Sequence, residues 1–150
     1  MTTLTEAEVE AILVDQLGAL GYTCIDDAIS GPDGSAPERA AYSDTVLSER
    51  LRNAVARLNP GIPEDAREDA LRRLMSNERP SLIEENRRLH RAMVEGVRVE
   101  YRAEDGTIRG DAVRLIDPDD HHNDWLAITQ FTVIENGQNR RPDVVVFLNG

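Results

Sequence analysis

The chain has 150 residues, 40% of them apolar and 30% charged, with a formal net charge of −11. That composition belongs to a globular domain with its own core and excludes a disordered segment. The acidity argues against a free-standing nucleic-acid binder, which needs cations for phosphate, but is compatible with a nuclease whose metal site uses carboxylates or with one module of a larger machine.

Cys24 is the sole cysteine, so there is no disulfide framework and no cysteine zinc site. No signal peptide or membrane-spanning run is legible, and a cytoplasmic location without a membrane partner is expected. The phosphate-loop, dinucleotide and nucleophile-elbow motifs are absent.

Thr5-Glu6-Ala7-Glu8 is a capping-box pattern. It predicts a helix over 6–20 with Val9, Ile12, Leu13, Leu17 and Leu20 as its apolar stripe and Gly21 as its stop. Glu6 projects toward the core side and Glu10 lies at the stripe's edge. Such a first-turn acid either complements the helix dipole in solvent or is aimed at a site. A short strand follows at Tyr22–Ile25, then a polar stretch from Asp26 to Tyr42, too long for a tight connector. Ser43 or Asp44 is placed to cap a helix carrying Val46, Leu47, Leu51, Val55 and Leu58. Pro63 opens another at its first position, and a third runs from about Pro80 to Val94 with Leu82, Ile83, Asn86, Leu89, His90 and Met93 inward. The two middle helices are expected to form an antiparallel pair.

From residue 97 the period becomes two. Val97–Arg102 and Ile108–Ile116 read as a hairpin turned at Asp105-Gly106. Asp117–Asn123 is a polar loop whose His121-His122 pair lacks spaced metal-binding partners. Trp125–Ile134 alternates as one strand, and Gly137 turns the chain toward the last. The order predicts an α/β fold: a mixed, mostly antiparallel sheet with flanking helices, with a helical segment at about 44–94 and a sheet segment at about 97–150.

Val144-Val145-Val146-Phe147-Leu148 is the longest apolar run and reads as a strand buried on both faces. Pro142 suits its first position. Asn149-Gly150 is a hairpin-turn signal, which reads as a chain ending inside a turn and therefore as a fragment of a longer protein. Asp143 stands at the mouth of this strand. An acid there is solvated, paired with Arg140 or Arg141, or bound to a metal.

Gln130–Ile134 followed by Asn139–Gly150 resembles the N-terminal region of the restriction (R) subunit of type I restriction-modification enzymes. Thr5-Glu6 with Leu20-Gly21-Tyr22, Leu51–Pro60 and Asn123–Ala127 agree. The resemblance implies a restriction-endonuclease-like domain of the PD-(D/E)xK kind, here its N-terminal part, with Pro142-Asp143 as the first half of the catalytic motif. The Glu-x-Lys half would lie on the strand after Asn149-Gly150, beyond this sequence. A first-helix glutamate, matching Glu6 or as second choice Glu10, would join the site, and Asp143 and Glu6 would be metal ligands. Gln130 would hydrogen-bond metal-bound water or DNA, or else be an ordinary sheet-surface residue. Arg140 and Arg141 would meet DNA phosphates.

The implied cofactor is Mg²⁺, with ATP bound by translocase domains outside this sequence. The implied partners are double-stranded DNA and the modification and specificity subunits. The implied activity is hydrolysis of DNA phosphodiesters coupled to ATP-driven translocation, with these 150 residues inactive alone. The competing readings are a non-catalytic docking domain, whose acidic helices at 63–94 bind basic partners, and a nuclease fold that grips DNA without cutting it.

Overall fold

The computed structural model describes residues 5–76 and 81–150. In chain order the elements are α1 (Glu6–Ala19), β1 (Thr23–Asp26), α2 (Asp27–Ser30), α3 (Ser48–Leu58), α4 (Glu64–Met75), α5 (Leu82–Glu95), β2 (Val97–Arg102), β3 (Ile108–Val113), a 3-10 turn (Asp120–His122), β4 (Trp125–Thr129), β5 (Val133–Glu135), β6 (Gln138–Arg140) and β7 (Val144–Leu148). The fold is mixed α/β with mostly antiparallel strand pairs and flanking helices, consistent with the restriction-endonuclease-like class read from the sequence. It forms two compact units: residues through Arg50 with Asp124–Gly150, and Leu51–Asn123. Among the described residues, no helix is long and apolar enough to cross a membrane.

The first unit is built on a sheet ordered β1-β4-β7, with β1 parallel and β7 antiparallel to β4. Leu126 lies opposite Phe147 and Ile128 opposite Val145. Directly opposed residues share a sheet face, so these four point into one core with Leu47 and Phe131. Phe131 and Phe147 meet edge-on at 5.2 Å between centroids. Each such large side chain, fully buried, contributes roughly 1.5–3 kcal/mol.

Three expectations change here. β7 is an outer strand of the sheet and leaves Val146 45% exposed, so the apolar run is not buried on both faces. The strand expected over Trp125–Ile134 is two strands: Gln130 takes a φ of 56°, which ends β4 and turns Phe131 into the core before β5 begins. The helix expected from Ser43 or Asp44 begins only at Ser48. Leu47 is instead fully buried just before the helix, its amide donating to the Gly150 carbonyl at 2.9 Å.

α1 carries the expected capping box, with Thr5 and Glu8 bonded reciprocally. Its packing face is rotated from the predicted stripe. Val9, Ile12, Leu13 and Leu20 are exposed, while Glu10, Val14 and Leu17 are half-buried. These three recur at i, i+4 and i+7, one helical face. Cys24 of β1 packs beside Val14, its Sγ 3.7 Å from that carbonyl. The rotation places Glu10 on the more protected side of the helix.

In the second unit, α3 and α4 bury Leu51, Ala54, Val55, Ala66, Ala70 and Leu71. Pro63 caps α4 rather than occupying its first turn. β2 and β3 pair from Val97 opposite Val113 to Arg102 opposite Ile108, with Gly106 at φ 82° in the turn. β3 stops at Val113, short of the expected Ile116. There Asn59 takes over, accepting from the Arg114 amide and donating to its carbonyl, each at 2.8 Å.

The expected start of the third helix at Pro80 lies outside the described residues. α5 turns its Glu85–Arg88–Ala92 side inward, so Leu82, Ile83, His90 and Met93 are exposed, not internal. The reason is local: Arg88 donates to the carbonyls of Arg73, Leu74 and Ser76 at the end of α4. That satisfies carbonyls a helix end leaves open and fixes the rotation of α5.

Candidate active site

Extending the β4–β7 register by one step places Gln130 opposite Asp143, because Thr129 lies opposite Val144. The Gln130 amide donates to the Asp143 carbonyl at 2.7 Å, so the pair closes the end of the ladder. A residue in regular extended conformation at 130 would face the core with Leu126 and Ile128. With its left-handed backbone, Gln130 instead sends its side-chain amide to Glu10 of α1, at 3.2 Å from both carboxylate oxygens. The structure therefore joins Gln130 to Glu10 through its side chain and to Asp143 through the backbone. Glu6 lies one turn earlier, exposed at the first position of α1.

Asp143 is exposed, as are Arg140 at the end of β6 and Arg141 in the link to β7. Among the described residues, neither arginine forms an ion pair with Asp143. Arg140 borders a depression also lined by Val133, Glu135 and Pro142. Beside the ladder's end, Asp26 caps α2 through the Ala28 amide at 2.8 Å and accepts from the Thr129 hydroxyl at 3.1 Å. This adds a third carboxylate at the same end of the sheet, since Asp26 pairs in register with Thr129.

Beneath this edge is a device the sequence reading missed. Asp27, 7% exposed, accepts from Arg39 Nη2 at 2.9 Å through each carboxylate oxygen and from the Thr132 amide at 2.9 Å. Arg39, 6% exposed, also donates to the Thr132 carbonyl at 2.7 Å. Its guanidinium lies 3.9 Å over the Phe131 ring, and its Nε is buried with no hydrogen-bond partner among the described residues. The pair thus grips both backbone groups of Thr132, two residues after Gln130, and the Thr132 hydroxyl returns to the Gln130 carbonyl at 3.3 Å. The available signal was composition: Arg39 is the one cation between Asp26 and Tyr42, among four acids.

The opposite end of β7 is fixed by Asn149. Asn149 and Gly150 both have positive φ, 60° and 89°, the geometry of an Asn-Gly turn. Asn149 is 1% exposed, its side chain accepting from the Asp124 amide at 2.7 Å and its amide donating to the Asp124 carbonyl at 2.8 Å. Asp124 in turn accepts from Arg50 at 2.7 Å, and Arg50 also binds Glu38. These partners, Glu38 first, push the Arg50 pKa up.

His121 and His122 occupy a turn held by the polar side chains around it. Asp119 caps it through the His121 amide, and Asn123 bonds the backbone of Asp117. Among the described residues, no three His, Cys, Asp or Glu side chains converge as an ion cage.

A mixed sheet with flanking helices, an exposed aspartate just before its outer strand and a glutamine tethered to a helix glutamate are consistent with a restriction-endonuclease-like domain. The chain belongs to the family of type I restriction enzyme R protein N termini, whose model matches residues 3–150. It is 30% identical over 146 residues to a Methanocaldococcus jannaschii protein provisionally named as the type I restriction enzyme MjaIXP endonuclease subunit, covering 95% of this chain and 14% of that protein. It is also 30% identical over 153 residues to the type I restriction enzyme HindI endonuclease subunit of Haemophilus influenzae, covering 98% of this chain and 14% of that one. The chain therefore spans about a seventh of the length of the curated relatives it matches.

Proposed function

We propose that Asp143, Gln130 and Glu10 form part of a Mg²⁺-dependent DNA-cleaving centre, completed in the intact subunit by a Glu-x-Lys motif after the Asn149-Gly150 turn. The observation that carries the reading is the backbone pairing of an exposed aspartate, in no ion pair among the described residues, with Gln130, whose side chain bonds Glu10. The donor set suits Mg²⁺, which takes one or two carboxylates and leaves its remaining positions to water and substrate phosphate. Asp143 would hold the ion. Glu10 takes the place expected of Glu6, because it is the glutamate bonded to Gln130. When bound, the metal supplies charge stabilisation at the scissile phosphate and a more acidic attacking water.

The residues present have their own tasks. Gln130 holds Glu10 in place through its amide protons. Its carbonyl oxygen only accepts hydrogen bonds, so it is suited to orient a water donating to it. Arg140 and Arg141 supply guanidiniums at the mouth for phosphate oxygens, contacts that position DNA without reading sequence. The Asp27–Arg39 pair holds the backbone that carries Gln130. In the whole protein, cleavage would be coupled to ATP-driven translocation in a complex with modification and specificity subunits.

The test compares plasmid cleavage by the intact subunit, assembled with those partners, ATP and Mg²⁺, with the 150-residue chain and Mg²⁺. Cutting by the intact subunit alone is expected. Robust cutting by the chain would mean that another acid, such as Glu135, already completes the site.

A further inference from the structure

All 17 cationic side chains of this protein are arginines, set against 28 acids. Most of those described are engaged locally, as Arg52 is with Glu68, Arg73 with Asp69, Arg109 with Asp105 and Arg114 with Asp117. In the second unit, a cavity of about 610 Å³ between the end of α4, the inner side of α5 and the start of β2 breaks this pattern. Among the described residues, five arginines line it, Arg73, Arg87, Arg88, Arg91 and Arg98, against two acids, Glu84 and Glu95.

Arg73 and Arg88 are occupied with Asp69, Glu85 and backbone carbonyls. Arg87, Arg91 and Arg98 are exposed and make no ion pair or side-chain hydrogen bond among the described residues. Arg87 and Arg91 are one helical turn apart, about 5–6 Å between Cβ atoms. Three uncommitted guanidiniums around one concavity, in a chain of net charge −11, oppose the chain's overall charge. Guanidinium forks match phosphate oxygens two at a time.

We propose that this cavity binds the sugar–phosphate backbone of double-stranded DNA, as a sequence-independent contact outside the cleavage centre. The inference rests on the reading of DNA as substrate. A neighbouring depression that shares Arg73, Glu95 and Arg98 also carries Glu100 and Asp111 and is not part of the surface. Binding here would add electrostatic affinity and leave the chemical step to the other unit.

The test is fluorescence anisotropy of a labelled duplex titrated with the chain across a range of salt. Wild type is compared with a triple variant, Arg87→Ala with Arg91→Ala and Arg98→Ala, and with Arg102→Ala, an exposed arginine of β2 outside the cavity. All four positions are exposed, and thermal melts confirm folding. The triple variant is expected to lose about tenfold or more in affinity, and its slope of log K against log salt to fall by about 2–3, near one per lost phosphate contact. Arg102→Ala should bind as wild type does.

Identical affinity and slope in the triple variant, no salt-dependent binding by wild type, or equal competition by polyglutamate would overturn the proposal. Cleavage by the intact subunit carrying Asp143→Asn separates the two claims. If that variant still cuts, the nuclease reading falls. If it is dead but the arginine variant binds unchanged, only the cavity assignment falls.

Discussion

Gln130 and Asp143 stand opposite one another one step past the last regular rung of the β4–β7 ladder, joined by a 2.7 Å hydrogen bond from the Gln130 amide to the Asp143 carbonyl. One residue thereby ends β4, frames the exposed aspartate and reaches back to Glu10 on the first helix. Gln130 does this from a left-handed backbone, which costs a non-glycine residue about 1–3 kcal/mol. Gln130→Val should destabilise the chain by that order, because a β-branched side chain tolerates positive φ poorly. Gln130→Gly should keep stability within about 1 kcal/mol while lowering cleavage by the intact subunit. Urea denaturation with parallel cleavage assays measures both; equal destabilisation by Val and Gly would refute the backbone argument.

The Asp27–Arg39 pair is the buried clamp under the same loop. Removing one partner leaves a charge buried without its counter-ion, at a cost of about 3–5 kcal/mol. Asp27→Ala and Arg39→Ala should each lose that much, and the double variant much less than their sum, in a denaturation double-mutant cycle. Simple additivity would show that the two do not act together.

Much of this architecture was legible beforehand. The capping box of α1, the Asp105-Gly106 hairpin and the Asn149-Gly150 turn are local chemistry, and each forms as its residues dictate. The mismatches come from tertiary context. Alternation ran unbroken from Trp125 to Ile134, and nothing in the pattern announces a left-handed glutamine at its centre. The apolar stripe of α1 pointed to Val9, Ile12 and Leu13, whereas contact with β1 selects Val14 and Leu17 and brings Glu10 with them. That Glu10 and not Glu6 bonds Gln130 follows from that rotation. The Asp27–Arg39 pairing joins residues twelve apart in a stretch without periodicity and leaves no spacing signature.

Asn149 has two separable roles. Asn149→Gly keeps the positive φ and loses the side-chain bond to the Asp124 amide; Asn149→Ala loses that bond and strains the backbone as well. Both should destabilise, since a half-buried amide donor loses its partner at up to about 1–3 kcal/mol, with Ala the more severe by about 1 kcal/mol. Thermal melts rank them, and an Ala variant as stable as Gly would mean the backbone conformation carries no cost.

Acid should loosen the 117–123 turn. A hydrogen bond from the Asp119 amide, chiefly, and then Arg114 hold Asp117 below its ordinary value of 3.8. A depressed folded-state pKa means the stabilisation is complete above the unfolded value and is lost as pH falls through the lower, folded one. NMR titration of Asp117 should show a midpoint below 3.8, with the Asp119 amide shifting in step; a midpoint at or above it would contradict the assignment.

The most direct measurement is DNA cleavage by the intact, assembled subunit carrying Asp143→Asn, which keeps the shape of the side chain and removes its charge. Loss of an essential metal ligand should abolish double-strand cutting, by about a thousandfold or more, while ATP hydrolysis continues at the wild-type rate. Cutting at near wild-type rate would show that Asp143 is not at the cleavage centre.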